Sequence, residues 1–143
     1  MEIKCYESLP QAGADIRRAV FMEEQGFQHE FDDADALAWH LVLYQGGRPA
    51  GTCRLLPLDG TRTYLVGRIA VLPPFRGQGL GAALLRAAEQ DGAAHGGTAI
   101  VLHAQVQAQP FYEKQGYRVT SESYLDQHCP HRDMERPVAA SEI

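Results

Sequence analysis

Apolar and polar positions alternate in short runs along most of this chain, and the spacing turns helical in only a few places. Residues 2–7 read as a first strand. The run Asp15–Gln25, with apolar residues at 16, 19 and 20, reads as an amphipathic helix that Gly26 stops. WHLVLY at 39–44 predicts a strand, Gly46-Gly47 a hairpin turn, and Ala50–Leu58 the returning strand. Arg62–Leu72 predicts a third strand of this group, and the Ala/Leu-rich Gly79–Gln90 a helix. Thr98–His103 predicts another strand, and Gln109–Lys114 a short helix ended by Gly116. Tyr117–Tyr124 and Asp133–Val138 are expected to pair as closing strands, and Ala139–Ile143 to fray. The order β-α-β-β-β-α-β-α-β-β gives an α/β (α+β) class: a mixed, mostly antiparallel sheet of six to seven strands with flanking helices.

Composition narrows the class without naming a chemistry. At 143 residues the chain suits one domain, 1–143, with an adequate core, and it shows no repeat or linker. A net charge of −5 argues against general binding to nucleic acid or to anionic membrane. No apolar run is long enough to span a bilayer, and the start MEIKCYESLP lacks a signal-peptide pattern. Cys5, Cys53 and Cys129 lie far apart and form no CxxC pair, so neither zinc nor a disulfide framework is expected. A reducing cytoplasm is the simplest setting.

The glycine-rich turn changes the picture. Arg68–Val71 runs through Leu72-Pro73-Pro74 into Arg76-Gly77-Gln78-Gly79-Leu80-Gly81 and directly into the Ala/Leu helix. A helix start leaves backbone N–H groups without partners, and these attract anions. Glycines let a phosphate approach the backbone and permit unusual φ angles. The turn is not a Walker loop, because no Lys-Ser/Thr follows, and its Gly-x-Gly-x-Gly spacing is not the dinucleotide fingerprint.

IAVLPPFRGQGLG, with its upstream strand and downstream helix, resembles the GNAT superfamily of acyl-CoA-dependent N-acetyltransferases. Arg76, Gly79 and Gly81 match the family pattern Arg/Gln-x-x-Gly-x-Gly/Ala. Ala108 through Tyr112 to Gly116-Tyr117 is similar to its Ala-x-x-x-Tyr-x-x-x-Gly-Phe/Tyr segment, at an agreeing separation. The resemblance covers about residues 1–138. EEQG, EFDDAD, HLV and PHRDM resemble a small group of uncharacterised bacterial acetyltransferases within the superfamily.

That resemblance implies two adjacent strands, 64–72 and 98–104, that splay apart around acetyl-CoA. The pantetheine arm would pair with the backbone of Ile69, Ala70 and Val71. The pyrophosphate would rest on the N–H groups of Gly77, Gln78, Gly79, Leu80, Gly81 and Ala82, beside Arg76. Gln105 replaces a frequent asparagine and is a candidate for the cofactor amide. Tyr112 stands where the family places the general acid, and Phe111 is expected in the core.

Acetyl transfer needs a neutral amine, a donor for the oxyanion and a proton for the departing thiolate. A strand N–H near Ala70 or Val71 is the oxyanion candidate. A tyrosine, with a reference pKa of about 10 against about 8.5 for a thiol, suits the last task. The strand TAIVLH lacks the glutamate that many relatives use as base, leaving His103 as the nearest candidate. A structural hydrogen bond for His103, or a water chain to Glu30, Asp32, Glu122 or His131, stays open beside it. Glu30, in the acidic run to Asp35, is a candidate for a cationic acceptor, against a solvated turn. Arg54 and Arg68 are candidates for an acceptor carboxylate, against an ion pair with that run. His128-Cys129-Pro130-His131 makes a poor metal site on one short loop, so no metal is expected, and His131 is placed near the acceptor instead.

The expected function is transfer of acetyl from acetyl-CoA to a primary amine, on a small molecule or a peptide, by direct attack in a ternary complex. A non-catalytic acyl-CoA sensor and an acyltransferase resembling the acyl-homoserine-lactone synthases are the alternatives. A homodimer is left open, dimers being common in such folds.

Overall fold

A computed structural model describes residues 1–139. Residues 140–143, most of the end expected to fray, lie outside the described residues. The strands are β1 (Glu2–Tyr6), β2 (Trp39–Gln45), β3 (Arg48–Pro57), β4 (Thr63–Val71), β5 (Ala99–Gln105), β6 (Arg118–Val119), β7 (Tyr124–Asp126) and β8 (Cys129–Pro137). The α-helices are α1 (Gln11–Arg17), α2 (Leu80–Ala94) and α3 (Gln109–Lys114). One sheet runs β1-β2-β3-β4-β5-β8-β6, with β7 paired to β8. Every neighbouring pair is antiparallel except β4–β5.

The middle strands read as near-continuous buried runs because helices cover both faces. On one face α2 buries Leu80, Leu84, Leu85 and Ala88, a helical stripe, against Leu41, Leu43, Leu55 and Ile100. On the other face Ile16, Val20, Phe21 and Phe27 pack with Ala70 and Cys129. Gly46 and Gly47, both at positive φ, close the β2–β3 hairpin as a two-residue turn with Gln45 opposite Arg48.

Two regions depart from the pattern expected. The first helix begins earlier, after Pro10, and from Arg18 to Glu24 it winds as a wider π-helix. Its end is held by Gln25 N donating to Val20 O and Phe27 N to Phe21 O. The strand expected over 117–124 breaks into β6 and β7, and β8 starts at Cys129 rather than Asp133, giving eight strands among the described residues. The β7–β8 hairpin turns at Gln127-His128, with Gln127 in the left-handed region (φ 54) and no glycine to signal it. The stretch 128–131 is therefore not a loop: Cys129–His131 open a strand.

The feature that positions the site is a fork. β4 and β5 pair from Thr63↔Ala99 to Val66↔Leu102 and then separate. Beyond that point β4 stays on β3 as far as Val71↔Gly51, and β5 stays on β8 as far as Gln105↔His131. A bulge sits at the branch: the register shifts between Thr52↔Ala70 and Arg54↔Gly67, so one extra residue must fit on β4. Arg68 takes the left-handed backbone (φ 54) that absorbs it. Among the described residues, the bend leaves one edge of residues 67–71 without a strand partner.

Candidate active site

Two cavities meet the fork. The outer one, about 340 Å³, lies over the glycine turn and is lined by Val71, Phe75, Arg76, Gly77, Gly79, Leu80, Gly81, Ala82 and Phe111. Gly77 (φ 79) and Gly79 (φ 74) both need the left-handed region, and a Cβ on either would meet nothing within 4 Å. Gly79 is the N-cap of α2 and supplies no side-chain cap. The first capping bond inside the helix is Ala83 N donating to Gly79 O at 3.1 Å. Among the described residues none accepts from the N–H groups of Gly77 to Ala82. They form a ring of free donors at the positive end of a fifteen-residue helix.

The inner cavity, about 260 Å³, opens where β4 and β5 part. Ile69, Glu30, Arg68, His103, Gln105, Tyr112 and His131 all line it, so both candidate catalytic residues and all the candidate acceptor residues except Arg54 converge there. Tyr112, from α3, packs edge-on against Phe111 at 5.1 Å and Tyr117 at 6.2 Å between ring centres. Its hydroxyl makes no hydrogen bond among the described residues. Burial, with a smaller contribution from Cys53, pushes the phenol up to about 12. Phe111 packs against the main core as expected and also walls the outer cavity.

His103 is exposed on β5, its Nε2 3.8 Å from Asp133 Oδ1 on β8. His131 is buried, and its Nδ1 lies 2.9 Å from Cys129 O. A carbonyl oxygen only accepts, so Nδ1 carries a proton, and Nε2 holds the lone pair whenever the ring is neutral. Gln105 Nε2 donates to Gln25 Oε1 at 2.8 Å, and Gln105 Oε1 accepts from Gln107.

The acidic run and the arginines form one ion-pair network. Arg17, 1% exposed, donates from Nε to Glu30 Oε2 and from Nη1 to Asp35 Oδ1, each at 2.8 Å. Arg54 Nη1 donates to Asp32 at 2.7 Å and to Asp35 at 3.0 Å. Arg68 Nε reaches Glu30 Oε2 at 3.0 Å, and its Nη2 donates to the Glu30 carbonyl at 3.2 Å. Burial would raise Asp35, but hydrogen bonds from Arg17 and Arg54 hold it at about 2. In Glu30 burial wins over the pull of Arg68, Arg17 and Arg54, and its carboxyl sits above the ordinary value. Arg54 lines neither cavity; its guanidinium is taken up by Asp32 and Asp35. Ala70 and Gln78 also line neither; the Ala70 side chain is core and Gln78 accepts from Gln45 at 3.4 Å.

Sequence reasoning missed Phe21, Gln25, Phe27, Gln107, Asp126 and Gln127 on the inner wall. No local pattern marks them: Phe21, Gln25 and Phe27 come in with the π-wound segment, Asp126 and Gln127 with the β7 turn, and Gln107 with the short turn after β5. Among the described residues no group of three or more His, Cys, Asp or Glu could hold a metal ion. No described helix is long and apolar enough to cross a membrane.

Known proteins share this arrangement. The model of the acetyltransferase (GNAT) domain family matches residues 7–137. The chain is 38% identical over 122 residues to YjcF, an uncharacterised N-acetyltransferase of Bacillus subtilis, covering 83% of this chain and 86% of that one. A Lactobacillus plantarum crystal structure assigned as an N-acetyltransferase superposes with a TM-score of 0.87 at 35% identity, over 96% of this chain and 97% of its own. An aminoglycoside 6'-N-acetyltransferase complexed with coenzyme A shares the fold, with a TM-score of 0.77 at 16% identity over the full length of both chains. A forked sheet beside an open helix start, matched by a family model along nearly its whole length, makes this chain a member of the GNAT acetyltransferase family and an acyltransferase.

Proposed function

We propose that this protein moves an acetyl group from acetyl-CoA to a primary amine by direct attack in a ternary complex, in a reducing cytoplasm. One observation carries the reading: the free N–H groups of Gly77–Ala82 and the Tyr112 hydroxyl flank the same strand fork. The diphosphate fits the donor ring, and the unpartnered edge of Ile69–Val71 suits the amides of the pantetheine arm. Coenzyme A in the aminoglycoside acetyltransferase of the same fold supports this placement.

In this reading the thioester lies in the fork beside Tyr112. An ammonium acceptor first gives a proton to His103, or to the free Nε2 of His131. The neutral nitrogen attacks the acyl carbon, and a β4 N–H at Ala70 or Val71 steadies the oxyanion. As the C–S bond breaks, the Tyr112 hydroxyl donates to sulfur and the phenolate takes back the second proton that the attacking nitrogen loses; the proton held by the imidazole is the one released overall, and the products are amide and free thiol. A phenol at about 12 is a poor match for a solvated thiolate near 8.5. The same burial raises the thiolate, which brings the two together. Arg68 and Glu30, at the inner end, face the acceptor. A thiol-release screen of acetyl-CoA against amino acids, polyamines, aminoglycosides and peptide N-termini tests the reading. Acceptor-dependent release supports it; coenzyme A binding without release from any amine would leave the sensor function in its place.

A further inference from the structure

Arg76 is the motif arginine of the glycine turn, yet each of its three nitrogens already donates a hydrogen bond within the chain. Its Nε donates to Val71 O at 2.8 Å. Its Nη1 and Nη2 donate to the two carboxylate oxygens of Glu24, at 2.8 and 2.6 Å. This two-toothed pair bridges parts of the chain 52 positions apart. Glu24 ends the π-wound segment that carries Phe21 into the inner cavity, and Gln25 follows it there. Arg76 lines the outer cavity. With its charge matched by a carboxylate, the guanidinium brings little net positive field to that cavity.

We propose that Glu24 is a latch on Arg76: it holds the guanidinium off the diphosphate and so weakens the grip on coenzyme A. The proposal rests on the glycine turn being the diphosphate site. Both partners are about two-fifths exposed, 42% and 41%, so the pair is a weak one and a doubly charged diphosphate competes well for Arg76. The ligand must break the latch on arrival, and the freed carboxylate faces the product until it leaves. A weaker hold on product favours turnover where release is slow. Because Glu24 and Gln25 are adjacent, the same contact ties the cofactor turn to the wall of the acceptor cavity.

Calorimetric titration of the full chain with coenzyme A tests this. Glu24→Gln keeps the shape and removes the charge, and its Kd should fall about fivefold, the scale of one screened charge. At about 1 M salt, where screening reaches ~3 Å, that gain should vanish. Arg76→Ala should weaken binding, and adding Glu24→Gln to it should change Kd by less than about twofold. Unchanged or weaker binding by a Glu24→Gln protein that melts with the parent overturns the latch. So does a full gain that survives in the Arg76→Ala background, since Glu24 would then act by direct repulsion. A parent chain that does not bind coenzyme A at all rejects the diphosphate site itself, a separate outcome.

Discussion

Tyr112 is the residue on which the proposed chemistry turns, and its environment fixes its pH behaviour. A phenol raised to about 12 stays a donor throughout the working range. The rate should therefore show no alkaline loss below about pH 11 from this group. Tyr112→Phe is expected to lower turnover by about 10²-fold or more with coenzyme A affinity unchanged, checked by steady-state kinetics beside calorimetry. Equal turnover in the two proteins would remove the acid role. Gly79→Asp tests the other end of the ligand. Aspartate tolerates the left-handed backbone at a cost of about 1 kcal/mol, so the fold should persist. Its carboxylate would face the diphosphate, and calorimetry should show binding lost. Both positions were legible in the sequence, because glycine at a strand-to-helix turn and tyrosine at a fixed distance are local patterns. The inner wall was not: Phe27 and Gln127 approach the cavity only through packing.

The elements make the fork by a one-residue misfit. β4 carries an extra residue at Arg68, which bends it from β5 while β3 keeps its hold. Gly51 on β3 is what lets that hold be close. A Cβ there would stand 2.9 Å from Leu84 Cδ1 and 3.1 Å from Ala70 O. Gly51→Ala should push β3 from both α2 and β4, costing about 1–3 kcal/mol in urea unfolding. It should also loosen coenzyme A binding, because Ala70 and Val71 shift with the strand. A parent-like midpoint would show that the contact relaxes freely. The sequence marked the strands and α2 well, since two-residue and 3.6-residue periods survive without tertiary context. It missed the π-winding at Arg18–Glu24 and the Gln127 turn, for neither has a glycine or proline to announce it. The first is the more telling miss, as π-turns gather at functional sites and this one supplies both Phe21 and Glu24.

Across the whole molecule the Arg17–Arg54–Arg68 network binds α1, the acidic turn and the bulged strand into one unit. Arg17→Leu would strand Glu30 and Asp35 without their shared partner, and should destabilise the chain by about 3–5 kcal/mol in urea unfolding. The network also sets the response to acid. Asp35, held at about 2 against an ordinary 3.8, favours the folded chain above pH 3.8. That contribution, about 2 kcal/mol, is lost as pH falls through about 2. Glu30 moves the other way: with its carboxyl raised, protonation favours the fold as pH drops. The Asp35 part is read by comparing parent with Asp35→Asn, which should flatten the slope of stability between pH 4 and 2. An identical slope would assign the acid response elsewhere. By itself the sequence determined the class of fold, the order of its main elements, the glycine turn and the place of Tyr112 along the chain. Each of these is written in spacing along the chain, where neighbours a few residues apart share a face or a turn. Only the tertiary structure decided which charges meet: that Arg54 and Arg68 pair with the acidic run, and that Arg76 pairs with Glu24. Such pairings join residues tens of positions apart, and their energies depend on burial and distance, which no local pattern encodes.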